Sequence, residues 1–195
     1  MINAALKVSD KLIDMLKFFE GLHKVRKDGM IEAYLDTSGK NPIWTIGWGH
    51  TQTAKQGMVI TMAQAVALKK QDLAEHEGYV KKYVKVPLTQ GRFDALVSLS
   101  YNLGGSKFGQ SSVVKAVNNN DFELAKKEQL KWVRGKGNKV LDGLVKRRQA
   151  EVALMDEQPF PILEKPIATL NNRQIQDTIQ NPNTLWVRLR SAVGV

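Results

Sequence analysis

Apolar residues return at helical spacing over most of this chain and lose that period in one short stretch near its start. Leu12, Met15, Leu16 and Phe19 stand at i, i+3, i+4 and i+7, one face of a helix, with Ser9 placed to cap its N-terminus. Glu20-Gly21 closes this helix, since glycine suits the left-handed position that follows a last turn. From Asp28 to Thr51 the period disappears. Glycines recur at 29, 39, 47 and 49, Pro42 interrupts, and β-formers cluster in Ile43-Trp44-Thr45-Ile46. The pattern predicts a small, irregular β-patch with tight turns, too small to fold unless it leans on helices.

Helical spacing then resumes. Thr61 can cap a long segment through Val66, Leu73, Val80 and Val84 that ends before Pro87. Thr89 can start another, with Phe93, Leu96, Val97 and Tyr101 on one face and a break at Gly104-Gly105. Shorter candidates run from Gln110 to Asn118 and from Asp121 to Arg134. After the turn at Gly135–Asn138, Leu141, Leu144, Val145, Arg148, Val152 and Met155 mark a final amphipathic face. The fold class is α+β: a β-patch (about 28–51) joined by a long helix to a helical lobe (about 89–157). The texture changes at 159–195, where prolines recur and Asn and Gln are dense. The division is a body over 1–158 and a C-terminal tail packing on it, with short helices expected near 173–180 and 184–190.

Composition narrows the partners. The 195 residues carry 29 Lys and Arg against 19 Asp and Glu, a formal charge of +10, and the pI is about 9.7. Such a balance calls for an anionic partner, and nucleic acid, anionic lipid and acidic wall polymer all qualify. There is no cysteine, which excludes disulfides, thiolate metal sites and cysteine nucleophiles. No apolar run approaches the roughly 18–20 residues that span a bilayer. Lys7, Asp10, Lys11, Asp14 and Lys17 interrupt Met1–Glu20, so no signal-peptide core is evident and cytoplasmic synthesis is expected.

The densest chemistry lies in Glu20-Gly21, in Tyr34-Leu35-Asp36-Thr37-Ser38-Gly39 and in Trp44 to Thr51. One acid ends a helix, and another acid and a hydroxyl follow in the β-patch. If the patch folds against the helix end, Glu20, Asp36 and Thr45 face one cleft. Two carboxyls across a cleft are the minimum equipment for glycoside hydrolysis, one protonating the leaving oxygen and the other organising water or stabilising the oxocarbenium-like transition state. Taken singly, each residue has an ordinary reading: a solvated helix end, a turn aspartate and a strand threonine. The ordered combination carries the chemistry. His50 reads as structural, bridging the β-patch to an acid of the first helix such as Asp14 or Glu20. His23 and His76 do not form a metal set with it, and no cofactor is expected. Tyr101-Asn102 reads either as a sugar contact through the Asn amide or as packing at a helix end. Trp44, Trp48 and Trp132 are core or sugar-stacking residues. Arg147 and Arg148 divide between a buried ion pair and the surface.

These segments resemble the phage-type lysozymes, or endolysins, the group that includes the T4 phage enzyme (glycoside hydrolase family 24). The matched signature is Glu-Gly, then Tyr-x-Asp-Thr-x-Gly, then Thr-Ile-Gly-x-Gly-His-Thr. Downstream, Phe93-Asp94-Ala95-Leu96, Tyr101-Asn102-Leu103-Gly104, Ser111-Ser112, Asn118, Trp132 and Gly143-Leu144-Val145-x-Arg147-Arg148-x-x-Glu151 also fit, so the resemblance covers about residues 10–157. It implies a lysozyme-like fold with Glu20 as general acid, Asp36 as second carboxylate and Thr45 helping to place the water. The implied substrate bond is the β-1,4 link between N-acetylmuramic acid and N-acetylglucosamine in peptidoglycan, and the best-studied members invert the anomeric configuration. The chain departs from the pattern in a longer interval between Glu20 and Asp36 and in the insertion of Lys40-Asn41-Pro42-Ile43. Asp28 is therefore a rival second acid, although it lacks the following Thr-x-Gly. The expected biology is a monomeric endolysin released through a membrane-permeabilising partner such as a holin, its basic helical lobe held by anionic envelope polymers. A bacteriocin, secreted toxin or tail lysozyme domain, a catalytically dead wall-binding domain and a nucleic-acid-binding module are the alternatives; the last has no zinc finger, RRM or helix-turn-helix signature to support it.

Overall fold

The computed structural model describes residues 2–39 and 41–157. Helix α1 (Asp10–Glu20) is capped by Ser9, whose Oγ accepts from Leu12 N–H, and ends at Gly21 with φ 66°. The cap is itself held from inside: Ser9 donates through Oγ to Asp94 at 2.5 Å and through its N–H at 3.1 Å. Four short strands follow: β1 (Ile31–Glu32), β2 (Tyr34–Asp36), β3 (Ile43–Thr45) and β4 (Val59–Ile60). They form two antiparallel pairs, β1 with β4 and β2 with β3. Strand β4 lies beyond the patch expected from sequence, because two residues directly before a helix cap carry no readable period.

Helix α2 (Met62–Tyr83) is the long connection, opened by a capping box between Thr61 and Gln64. Beyond it stand α3 (Gln90–Leu103), α4 (Gly105–Gln110), α5 (Ser112–Asn118), α6 (Phe122–Gln129), a 3-10 turn (Lys136–Asn138) and α7 (Asp142–Met155). The break at Gly104-Gly105 is real, but a separate short helix starts at once where none was expected. Helix α6 ends five residues before Arg134, and Trp132 and Val133 pack from the loop that follows. The expected tail, 159–195, lies outside the described residues.

The mean shape is two cores on one connecting helix. The larger core gathers Leu12, Leu16, Leu73, Val80, Phe93, Leu96, Val97, Phe108, Val113 and Leu154; the smaller holds Ile31, Ala33, Ile46, Trp48, Ile60 and Ala65. Val66 of α2 packs against both, so the β-patch leans on α2 as its size requires. Helix α3 is more deeply buried than its one-face pattern predicts: every residue from Phe93 to Ser100 is buried, because α1, α2 and α7 surround it. Among the described residues no helix is long and apolar enough to cross a membrane.

The α3–α7 approach depends on Gly91. A Cβ there would stand 2.0 Å from the Leu154 carbonyl oxygen, a backbone atom that cannot swing aside. Gly91→Ala is expected to cost about 1–3 kcal/mol, the usual penalty for forcing atoms into a filled interior. Urea unfolding checks it, and an unchanged midpoint would show that α7 shifts freely.

Candidate active site

The first element is the end of α1. Glu20 Oε1 accepts from Arg147 Nη1 at 2.8 Å, and the Glu20 side chain keeps 26% of its surface exposed while Arg147 keeps 6%. Arg147 is fixed from behind by Glu151, 3.3 Å from its Nε. Glu151 is fully buried and also accepts from Ser98 Oγ (2.6 Å), Gln129 Nε2 (2.7 Å) and Arg148 Nη2 (2.8 Å). The sequence reading divided Arg147 and Arg148 between interior and surface. Both are buried, since the i, i+4 and i, i+3 spacing to Glu151 lets one carboxylate serve two guanidiniums.

The second element is the β2–β3 hairpin. Its register pairs Tyr34 with Thr45, Leu35 with Trp44 and Asp36 with Ile43. Side chains alternate along a strand, so Tyr34, Asp36, Ile43 and Thr45 share one face, with Asp36 and Thr45 as diagonal neighbours about 7–8 Å apart. Asp36 accepts from Ser38 N–H at 2.8 Å, and this bond holds its carboxyl below the usual aspartate range, so it stays ionised. Thr45 is buried and donates to Ile43 C=O at 3.3 Å. The chain after Glu20 turns back to this face, and the His23 ring sits 5.2 Å from that of Tyr34. Asp28 is engaged elsewhere: it accepts from Met30 N–H at 3.1 Å inside its own turn and pairs with Arg26 at 3.0 Å.

The third element is the turn behind the hairpin. Ile46 and His50 exchange backbone hydrogen bonds of 2.9 and 3.0 Å around Gly47-Trp48-Gly49, and both glycines hold positive φ, 63° and 90°. A side chain at Gly47 would also press on Ala65 of α2 at 3.3 Å. His50 is buried, with Nδ1 2.8 Å from Asp72 and Nε2 2.8 Å from Thr53 Oγ1. Thr53 N–H donates to Nε2, which makes that nitrogen an acceptor and leaves the proton on Nδ1, facing Asp72. The bridge expected to Asp14 or Glu20 of α1 therefore goes to α2 instead; Asp14 is exposed and pairs with Lys17.

Asp72 shares its α2 face with Lys69, which the sequence reading passed over. Lys69 is 1% exposed; its ammonium donates to Trp48 C=O at 3.1 Å and to Tyr101 Oη at 2.9 Å. Burial pulls its pKa down to about 8, against partial support from Glu20. Below that pH the fold carries a desolvated charge at a cost of about 3 kcal/mol. The readable signal was the i+4 ladder Ala65–Lys69–Leu73–Glu77, which places two charges in line with core residues, and all four are buried. Tyr101 is thereby turned into the wall between the lobes, its hydroxyl pushed up to about 12, chiefly by burial, while Asn102 is exposed on the last turn of α3. Trp48 belongs to the small core, Trp44 packs beside it, and Trp132 packs on the large core. Among the described residues no three His, Asp or Glu side chains stand together in a way that could hold a metal ion.

A family model of the phage lysozymes matches residues 19–151. An endolysin of Acyrthosiphon pisum secondary endosymbiont phage 1 is 38% identical over 154 residues, covering 77% of this chain and 99% of that one. Among solved structures, an endolysin from Escherichia coli O157:H7 phage FAHEc1 superposes with a TM-score of 0.68 at 33% identity, covering 81% of this chain and 98% of that one. The muramidase domain of SpmX from Asticaccaulis excentricus gives a TM-score of 0.67 at 35% identity, covering 77% and 97%. The matched span runs from the residue before Glu20 to Glu151, taking in the helix end, the hairpin and the buried arginine cluster. The chain belongs to the phage lysozyme family and is a glycoside hydrolase that acts on peptidoglycan.

Proposed function

We propose that the protein is a muramidase of the endolysin type, cleaving the β-1,4 bond between N-acetylmuramic acid and N-acetylglucosamine with Glu20, Asp36 and Thr45. Glu20 delivers a proton to the glycosidic oxygen as the bond to the anomeric carbon breaks. Asp36 and Thr45 hold the water that adds to that carbon, and Asp36 takes up its proton. The hairpin register supports this reading, because it puts Asp36 and Thr45 on one face as diagonal neighbours. Asp28 is spoken for by Arg26 and its own turn. Asn102 is left as a sugar contact at the cleft rim, and His50 as a prop rather than a base. The hydrolytic unit ends near residue 158, and the chain works as a monomer without metal or cofactor. It is made in the host cytoplasm, reaches the wall with a holin's help and lyses the cell. Turbidity loss of outer-membrane-permeabilised cells, with N-acetylmuramic acid at the new reducing ends, tests the reading; N-acetylglucosamine reducing ends would overturn it.

Charge on the helical lobe is proposed to hold the enzyme on the wall. The run of basic residues is smaller at the surface than in the sequence: Arg147 and Arg148 are buried on Glu20 and Glu151, and Lys126 pairs with Asp156. Lys127, Lys131, Arg134 and Lys139 are exposed, Lys131 beside Glu128. Their attraction reaches only about 8–10 Å at physiological salt. Raising ionic strength is expected to slow hydrolysis of whole walls and to leave cleavage of a short neutral oligosaccharide unchanged. Equal loss on both substrates would remove the steering role.

A further inference from the structure

Lys69 is a buried cation in a place where a hydrophobic side chain would serve packing better. It stands on the connecting helix with one hydrogen bond to each lobe: to the Trp48 carbonyl in the turn that follows Thr45, and to Tyr101 at the end of α3. Its Nζ lies 4.1 Å from the Tyr101 ring centroid, and the Arg147 guanidinium lies 5.9 Å from the same ring. The charged and titratable groups facing it are Glu20 from α1, Arg147 from α7, Tyr101 from α3, and Asp72 and His76 from its own helix. His50, on the far side of Asp72, completes the set. Replacing buried charges by well-packed apolar side chains is often neutral or stabilising, so packing does not account for Lys69.

We infer that Lys69 is a positioning residue for hydrolysis: its ammonium pins the Gly47–Gly49 turn to Tyr101, which fixes the hairpin carrying Asp36 and Thr45 at its working distance from Glu20. The Trp48 carbonyl is three residues from Thr45 along a turn closed by two backbone hydrogen bonds, so a displacement at Trp48 passes to the hairpin. The grip weakens when the ammonium loses its charge, since a neutral amine is the poorer hydrogen-bond donor and no longer attracts the ring. That loss falls near pH 8.

The inference rests on Glu20, Asp36 and Thr45 being the reacting groups, and the test separates the two. Lys69→Met is compared with wild type on a soluble peptidoglycan oligosaccharide between pH 6 and 9.5. Below pH 8, kcat is expected to fall about ten-fold with KM within two-fold, the pattern of a mispositioned rather than unbound substrate. The ratio of the two kcat values should shrink above pH 8, where wild type loses the same charge. A ratio near one at every pH, or a ten-fold loss that ignores pH, overturns the role. Should Lys69→Met fail to fold, Tyr101→Phe decides: it keeps the ring and removes the acceptor, and an unchanged kcat overturns the inference. Glu20→Gln run alongside keeps the readings apart. If it is dead while Lys69→Met behaves as wild type, only the positioning role falls. If it is active, the Glu20 assignment falls and the role inferred for Lys69 falls with it.

Discussion

Glu20→Gln is expected to abolish hydrolysis while leaving the fold and wall binding intact. Glutamine has nearly the shape of glutamate, and its amide oxygen can still accept from Arg147 Nη1, the bond that Glu20 makes at 2.8 Å. What it lacks is a proton that can be given to the glycosidic oxygen. Loss of a general acid costs about 10²–10⁴ in rate, and more when the leaving group is a poor one. Circular dichroism and pelleting with purified walls check that the variant is folded and bound. Retention of more than about a tenth of wild-type turnover would remove Glu20 as the acid. Asp36→Asn belongs in the same assay, with Asp28→Asn as its control. Activity should collapse in the first and survive in the second; the reverse would mean that the lengthened loop shifts the second acid to Asp28.

The elements that place these residues were legible because each is governed by local chemistry. Ser9 and Thr61 cap the helices that their spacing marked, and Gly21 ends α1 with the positive φ expected of it. The switch from helical period to irregular β-structure found the hairpin, and its register then set Asp36 beside Thr45. Less legible were residues whose meaning depends on distant partners. Asp72 is 22 positions from His50, Lys69 is 32 from Tyr101, and Arg147 is 127 from Glu20. A lone sequence holds no term that links such positions. A charge on a helix reads as solvated until something shows which face is covered. The i+4 ladder through Lys69 and Glu77 was the local trace of that covering, and it conflicted with the general rule that charges stay out. Helix α3 shows the same limit in reverse: the face marked by Phe93, Leu96, Val97 and Tyr101 leaves out Asp94, Ser98 and Ser100, yet Ser98 and Ser100 are buried donors or acceptors to α7 and α2, and Asp94 holds the cap of α1.

Glu151→Ala is expected to be the most destabilising single change in the described body. Four donors converge on this carboxylate, and two belong to the buried Arg147 and Arg148. Burial already pulls the Arg148 guanidinium below its ordinary pKa, with Glu151 as the main opposing support. Alanine would leave the fully buried Arg148 guanidinium without its carboxylate partner. Breaking a buried ion pair from one side costs about 3–5 kcal/mol, a large share of the 5–15 kcal/mol typical of a domain. Urea or thermal unfolding measures it, and a loss below about 1 kcal/mol would mean that solvent reaches the cluster. Removing the Arg148 cation as well, in Glu151→Leu with Arg148→Met, should recover part of the stability, since the desolvated Arg148 charge goes with its partner while Ser98 Oγ, Gln129 Nε2 and Arg147 Nε are left without their acceptor. Activity should not recover with it. Arg147 would keep Glu20 as its remaining carboxylate partner and lose the bond to Nε that fixes its angle. The stability and the turnover of that double variant would therefore part, which separates the share of the cluster spent on folding from the share spent on holding Glu20.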